Sequence, residues 1–231
     1  MCGRFTLKTP RNVLAEEFPG IVFPQELPER FNVAPSQLVL AVTGNDPTHA
    51  LPFRWGLIPS WAKDPKVGNK FINARAEGIA EKPAFRAAFR KRRGIVFADG
   101  FYEWQSVAKT KKKQPLYFTL RDGKPFALAA LWEIWKPEAG DPVRSVTLIT
   151  TEPNDVVRGI HDRMPVILPH GRIDAWLDAE LPIDEAAAML APIDPTGMSM
   201  RKVSTVVNSA GHEGPDCLDA PEAEPSQGSL F

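Results

Sequence analysis

The 231 residues predict one α+β domain, a largely antiparallel, barrel-like β core with short helices at its periphery. Seven short runs are rich in β-branched or aromatic residues, the composition that fits a pleated, half-buried surface. These runs do not alternate with long helical patterns, so a parallel sheet built from crossover helices is not expected. The 23 prolines are roughly twice the usual share, which keeps helices short and demands ordered loops.

Taken in order, a first helix runs from Pro10 to about Phe18, with Thr9 as its cap and Pro10 at its first position. A strand follows at Leu38–Thr43. A helix over Lys82–Arg92 puts Phe85, Ala88 and Phe89 on one face and Arg86, Arg90 and Arg93 on another. Strands come at Gly94–Phe97, Phe101–Trp104 and Leu116–Leu120, the last two flanking a basic hairpin tip at Lys109–Lys113. Phe126–Leu131, Ser145–Thr150 and Val166–Leu168 complete the strands, and Ile173–Leu177 and Asp184–Leu190 are short helices. From Gly211 onward Gly, Pro, Glu, Asp and Ser dominate, so the domain spans 1–211 and 212–231 is expected to be a disordered acidic tail.

A 43% apolar and 24% charged composition excludes a wholly disordered chain. No run of about 18 apolar residues predicts a membrane span, and the N-terminus lacks an export signal. A cytoplasmic location follows, and Cys2 and Cys217 do not form a disulfide framework. The net charge is zero, but residues 203–231 hold five acids and no Lys or Arg, leaving 28 basic against 23 acidic residues in the body, a net of +5. Residues 82–113 alone carry ten basic residues and two acids. That distribution fits a nucleic-acid surface or a solvated helix face with a hairpin tip.

Four residues have the chemistry of a reactive site. Removal of Met1 would leave Cys2 with a free α-amine and a thiol on adjacent carbons. The amine condenses with an aldehyde, and the thiol closes a thiazolidine ring; an α-amine titrating at about 7.7–8.0 is available near neutral pH. The plainer reading is a small buried Cys. In the segment 71–77, Asn73 and Arg75 share one side of an extended stretch. Asn73 could orient an amine or carbonyl and Arg75 could bind a phosphate; otherwise they are a turn Asn and a surface Arg. Glu103, inside the apolar run 97–104, would be a desolvated proton shuttle or one half of a buried ion pair. His161 could be a general acid or base, or a hydrogen-bonded structural His. Between the aromatics of 54–61, Trp55 reads as core and Trp61 as a residue that could stack on a base. No zinc spacing, phosphate loop, dinucleotide fingerprint or nucleophile elbow occurs.

Six segments, in this order, carry a resemblance: Met1-Cys2-Gly3-Arg4-Phe5, Arg30-Phe31-Asn32-Val33-Ala34-Pro35, Trp55-Gly56-Leu57-Ile58-Pro59-Ser60-Trp61, Ile72-Asn73-Ala74-Arg75-Ala76-Glu77, Phe97-Ala98-Asp99-Gly100-Phe101-Tyr102-Glu103-Trp104 and Ile160-His161-Asp162-Arg163-Met164-Pro165. Together they resemble the SOS-response-associated peptidase (SRAP) family, from Cys2 to about Asn208. The resemblance implies recognition of abasic sites in single-stranded DNA and covalent capture as a thiazolidine on Cys2. It also implies possible lyase and autoproteolytic activity. By position it implies that Asn73 holds the Cys2 amine or the sugar, Glu103 shuttles protons and His161 assists at the sugar. Arg4, Arg75 and Arg163 would contact DNA, and Trp61 would wedge beside the lesion. It implies no metal or cofactor, a monomer, and association with the nucleoid on DNA damage. One departure is visible: family members often have two adjacent Trp here, whereas Trp61 precedes Ala62. That bears on how the DNA is kinked. Cys217 gains no role. Two other classes remain: a thiol peptidase on the same residues, with Cys2 as nucleophile, His161 as base and Asn73 or Glu103 as orienter, and a non-catalytic single-strand binding module that would not need Cys2.

Overall fold

The computed structural model describes residues 2–108 and 113–222. Its strands are β1 (Phe5–Leu7), β2 (Arg30–Val33), β3 (Leu38–Thr43), β4 (Asp46–Trp55), β5 (Asn73–Arg75), β6 (Arg93–Ala98), β7 (Gly100–Ser106), β8 (Lys113–Leu120), β9 (Phe126–Trp135), β10 (Val143–Thr151), β11 (Met164–Pro165), β12 (Ile167–Leu168) and β13 (Met198–Lys202). The helices are α1 (Arg11–Glu17), α2 (Arg86–Lys91), α3 (Asp155–Arg158), α4 (Ile173–Leu177) and α5 (Ile183–Ala188). None among the described residues is long and apolar enough to cross a membrane.

The strands close a ring. β4 pairs with β3, β3 with β6, β6 with β9 and β9 with β10, all antiparallel. β10 then pairs with β4 in parallel through Ser145↔Arg54 and Val146↔Trp55. The result is a closed five-stranded barrel, which leaves its members no free edge. A second sheet runs β13-β8-β7-β1-β2. Strand periodicity sorts side chains between two cores. Ala127, Ala129 and Leu131 of β9 join Leu14, Phe18, Phe89 and Trp176 from the helices. Phe126, Leu128, Ala130 and Trp132 join Phe5, Phe101 and Phe118 from the second sheet. β9 is therefore buried on both faces, and its three alanines fit that crowding.

Four expectations are corrected. Thr9 does not cap α1; its hydroxyl donates to Asp99 Oδ2 (2.8 Å), which also accepts the backbone N–H of Lys8 and Thr9. The helix over Lys82–Arg92 shortens to Arg86–Lys91, because Arg93 opens β6. Arg93 is not on a solvated face: it is buried and donates to the carbonyls of Phe89, Trp176 and Asp178. The chain also stays ordered past residue 212. Cys217 is buried against Tyr102, Tyr117, Val203 and Val207, and the Glu213 carboxylate accepts the N–H groups of Phe31 and Asn32. Residues 212–222 thus belong to the domain; the rest of the expected tail, like most of the basic hairpin tip, lies outside the described residues.

Candidate active site

β1 pairs with β7 through Phe5↔Phe101, and the Tyr102 N–H donates to the Arg4 carbonyl (3.0 Å). This register runs residues 2–4 alongside 102–104. Gly100 permits it, since a Cβ there would lie 2.2 Å from the Tyr117 ring. Cys2 is fully buried, and its main-chain carbonyl accepts from Asn73 Nδ2 (2.7 Å). Asn73 opens β5, which pairs in parallel with β10 through Leu148↔Asn73 and Thr150↔Arg75. The other amide atom of Asn73, Oδ1, is buried with no hydrogen-bond partner among the described residues.

Glu103 is 2% exposed on β7. Burial is the main cause that pushes its carboxyl up to about 7, and the Asp162 charge adds to it. Burial also pushes the Cys2 thiol up, and the Glu103 carboxylate is the next contributor in the same direction. His161 follows α3, whose N-terminus is capped by Asn154. Its Nε2 lies 3.9 Å from Glu103 Oε2, and its Nδ1 accepts the Arg163 N–H (3.0 Å). Burial holds His161 below the ordinary imidazole range. Cys2, Asn73, Glu103 and His161 are thus brought together from β1's leading segment, β5, β7 and the α3–β11 loop.

The cationic candidates divide. Arg75 is exposed. Trp61 is 64% exposed, on a loop anchored by the Trp135 indole donating to the Ala62 carbonyl (2.7 Å). Arg4 is half-buried; its Nη1 donates to Asn32 Oδ1 (2.7 Å) and to the Val207 carbonyl (2.8 Å), and its guanidinium lies over Trp104. Arg163 is buried. Its two Nη atoms hold the Glu77 carboxylate at 2.8 Å each, and Nη2 also reaches the Thr150 carbonyl (2.6 Å). A phosphate contact from Arg163 therefore requires that Glu77 be displaced. Trp55 is core, as its sequence context predicts, with its indole N–H on the Ile72 carbonyl.

Three contributors were not singled out in the sequence: Asn32, which holds Arg4; Glu77, which holds Arg163; and Asp162, whose carboxylate lies 2.9 Å from His161 Nδ1. Each sits inside a quoted segment, two or fewer residues from a candidate or facing one across the fold, so the segments pointed to them without assigning a role. His212, Asp216 and Cys217 place three possible metal-ligand atoms within 4.8 Å of one another, but none of the four site residues belongs to that group.

Comparison with known proteins identifies relatives of the chain along nearly its whole length. The chain is 44% identical over 224 residues to the abasic site processing protein YoaM of Bacillus subtilis, covering 95% of this chain and 98% of that one. It is 35% identical over 191 residues to the abasic site processing protein HMCES of Xenopus tropicalis, covering 72% of this chain and 56% of that longer protein. A crystal structure of a Bacteroides thetaiotaomicron protein superposes with a TM-score of 0.85 at 26% identity, covering 95% of this chain and 99% of its own. A Bordetella bronchiseptica protein gives 0.75 at 26% identity, covering 88% and 100%. With the family's profile matching residues 1–210, this chain belongs to the SOS response associated peptidase (SRAP) family.

Proposed function

We propose that this protein processes abasic sites in single-stranded DNA by trapping them covalently on Cys2 after Met1 is removed. The observation that carries the reading is the buried Cys2, held at its carbonyl by Asn73 and set beside a Glu103 carboxyl poised near neutrality. The abasic sugar opens to an aldehyde. The Cys2 α-amine adds to that carbonyl carbon to give a carbinolamine. Protonated Glu103 gives its proton to the hydroxyl, water leaves, and a Schiff base remains. The Cys2 sulfur then adds to the imine carbon while its proton passes to the Glu103 carboxylate. One water is lost overall and Glu103 is regenerated, a role suited to a group titrating near the working pH. Asn73 Oδ1 would accept from the freed α-amine. His161 would relay protons at the sugar, and strand cleavage through the Schiff base would be a side path.

Exposed Arg75 and Trp61 supply phosphate and base contacts in this reading; Arg4 contributes through the guanidinium nitrogens left by its Nη1 bonds. Binding then shields the lesion during the DNA damage response, by a monomer acting at the nucleoid. A thiol peptidase is less well supported. It needs a ready thiolate, whereas burial and the Glu103 charge both hold the Cys2 proton on.

The test is a denaturing gel of Met1-processed protein with labelled single-stranded DNA carrying one abasic site. A slow band that needs the lesion and disappears in Cys2→Ala is the expected result. Absence of that band, with Met1 removal verified by mass, would sink the reading in favour of peptide cleavage or plain binding.

A further inference from the structure

His161 Nδ1 has two neighbours that demand opposite protonation. The Arg163 N–H, 3.0 Å away, donates and so needs a lone pair on Nδ1. The Asp162 Oδ1, 2.9 Å away, accepts and so needs a proton there. In the first state the ring proton sits on Nε2, facing Glu103 across 3.9 Å. In the second, Nε2 offers a lone pair to the same carboxyl. We infer that Asp162 is a positioning residue that switches His161 between these two tautomers, so that Nε2 either donates a hydrogen bond to the Glu103 carboxylate or takes the proton of the Glu103 carboxyl. The inference rests on the roles proposed above for Glu103 and His161.

The proton balance is simple. Protonated Glu103 passes H⁺ to Nε2, giving a carboxylate and an imidazolium whose Nδ1–H is held by Asp162. On return the Nε2 proton goes back to Glu103. The gap of 3.9 Å is longer than a direct hydrogen bond, so transfer needs a small side-chain movement or one bridging water. Asp162 is positioned rather than reactive, because its own bond is to the imidazole. Among the described residues, the groups facing His161 are Glu103 on β7, Lys113 at the start of β8, and Asp162 and Arg163 on its own loop. Asp162 acts on both partners in one direction: its charge raises His161 and raises Glu103.

The Asp162 side chain is 80% exposed, so its truncation spares the core. In Asp162→Ala the Arg163 N–H still needs the Nδ1 lone pair while the opposing acceptor is gone, so the neutral ring carries its proton on Nε2. Nitrogen-15 NMR of the free protein should show two exchanging His161 tautomers in the wild type and the Nε2–H form alone in the variant. The pH profile of crosslinking to abasic DNA, at saturating DNA, should move to lower pH by about 0.5 to 1 unit. Asp162→Asn keeps an acceptor without the charge, so it should restore the two tautomers and retain the pH displacement. Identical ring nitrogen shifts in the wild type and Asp162→Ala would overturn the inference, as would an unmoved pH profile. Failure of the wild type to crosslink at any pH would instead remove the proposed function, while the ring measurement still decides what Asp162 does.

Discussion

At Glu103 the demands of burial and of chemistry meet in one carboxyl group. A buried acid prefers its neutral form, so the folded state binds the Glu103 proton more tightly than the unfolded chain does. Its contribution to stability is complete below the unfolded value of 4.5 and is lost as the pH rises through about 7. Glu103→Gln keeps the shape and removes the titration. Urea unfolding of the free protein at pH 5 and pH 8 should show the wild type losing on the order of 3 kcal/mol relative to the variant across that range, since one unit of displacement is worth about 1.4 kcal/mol. The same variant should crosslink at least about 100-fold more slowly, the low end of general acid–base contributions. A variant with wild-type rate and no gain in stability at pH 8 would show that this carboxyl is neither poised nor used. The sequence pointed to Glu103 because a charge in an aromatic run has to be explained; it gave no means of placing His161 against it, which depends on the α3–β11 loop.

Among the elements, the best-read were strands whose side chains pack on apolar neighbours, such as β3, whose observed bounds match the expected ones. β4 was missed. Its sequence, Asp46 to Trp55, holds two prolines and a charged end, and its burial is partial along the strand. It is nonetheless the strand whose parallel pairing with β10 closes the barrel, between residues some ninety positions apart that no local pattern can join. β13 was missed for a related reason: it is a mostly exposed edge with little apolar content. The β5–β10–β11 junction shows what such pairings do for the site. Arg163 binds Glu77 just beyond β5 and the Thr150 carbonyl of β10, while its own N–H holds His161. Through its side chain and its main-chain N–H together, this one residue ties the strand that bears Asn73 to the loop that bears His161. Arg163→Ala should cost about 3 kcal/mol, the low end for breaking a largely buried pair, because the Glu77 side is 59% exposed. For a chain of this size that is a fall in Tm of about 6 to 12 °C. Arg163→Lys cannot reproduce the two-pronged contact and should recover only part of the loss. Thermal unfolding of the two variants measures both, and a Tm unchanged in Arg163→Ala would remove the brace.

The charge of the whole molecule is a poor guide to how it meets DNA, because several of its cations are already engaged. Arg93 is buried on backbone carbonyls, Arg92 holds Glu133 at 2.8 Å and Lys91 holds Glu180 at 3.1 Å. Among the described residues of the basic cluster at 82–113, Arg92 and Arg93 are thus withdrawn from solvent, whereas Lys91 stays 63% exposed beside Glu180, and Glu213 further occupies Arg30. What marks the proposed DNA face is the placement of exposed Arg75 and Trp61 in the segments that carry the site. Binding to intact single-stranded DNA should therefore depend on salt only modestly. With two or three phosphates neutralised, log K should fall with log[salt] at a slope of about −1.4 to −2.1, at about 0.7 per contact on single strands. Arg75→Ala should reduce the steepness by about 0.7. Arg92→Ala should leave the slope alone and lower Tm instead, because its guanidinium is spent on Glu133. Fluorescence anisotropy over a salt series, with thermal unfolding of both variants, separates the two outcomes. If Arg92→Ala flattened the slope as much as Arg75→Ala, the α2 region would belong to the DNA path and the division between structural and binding cations would be wrong.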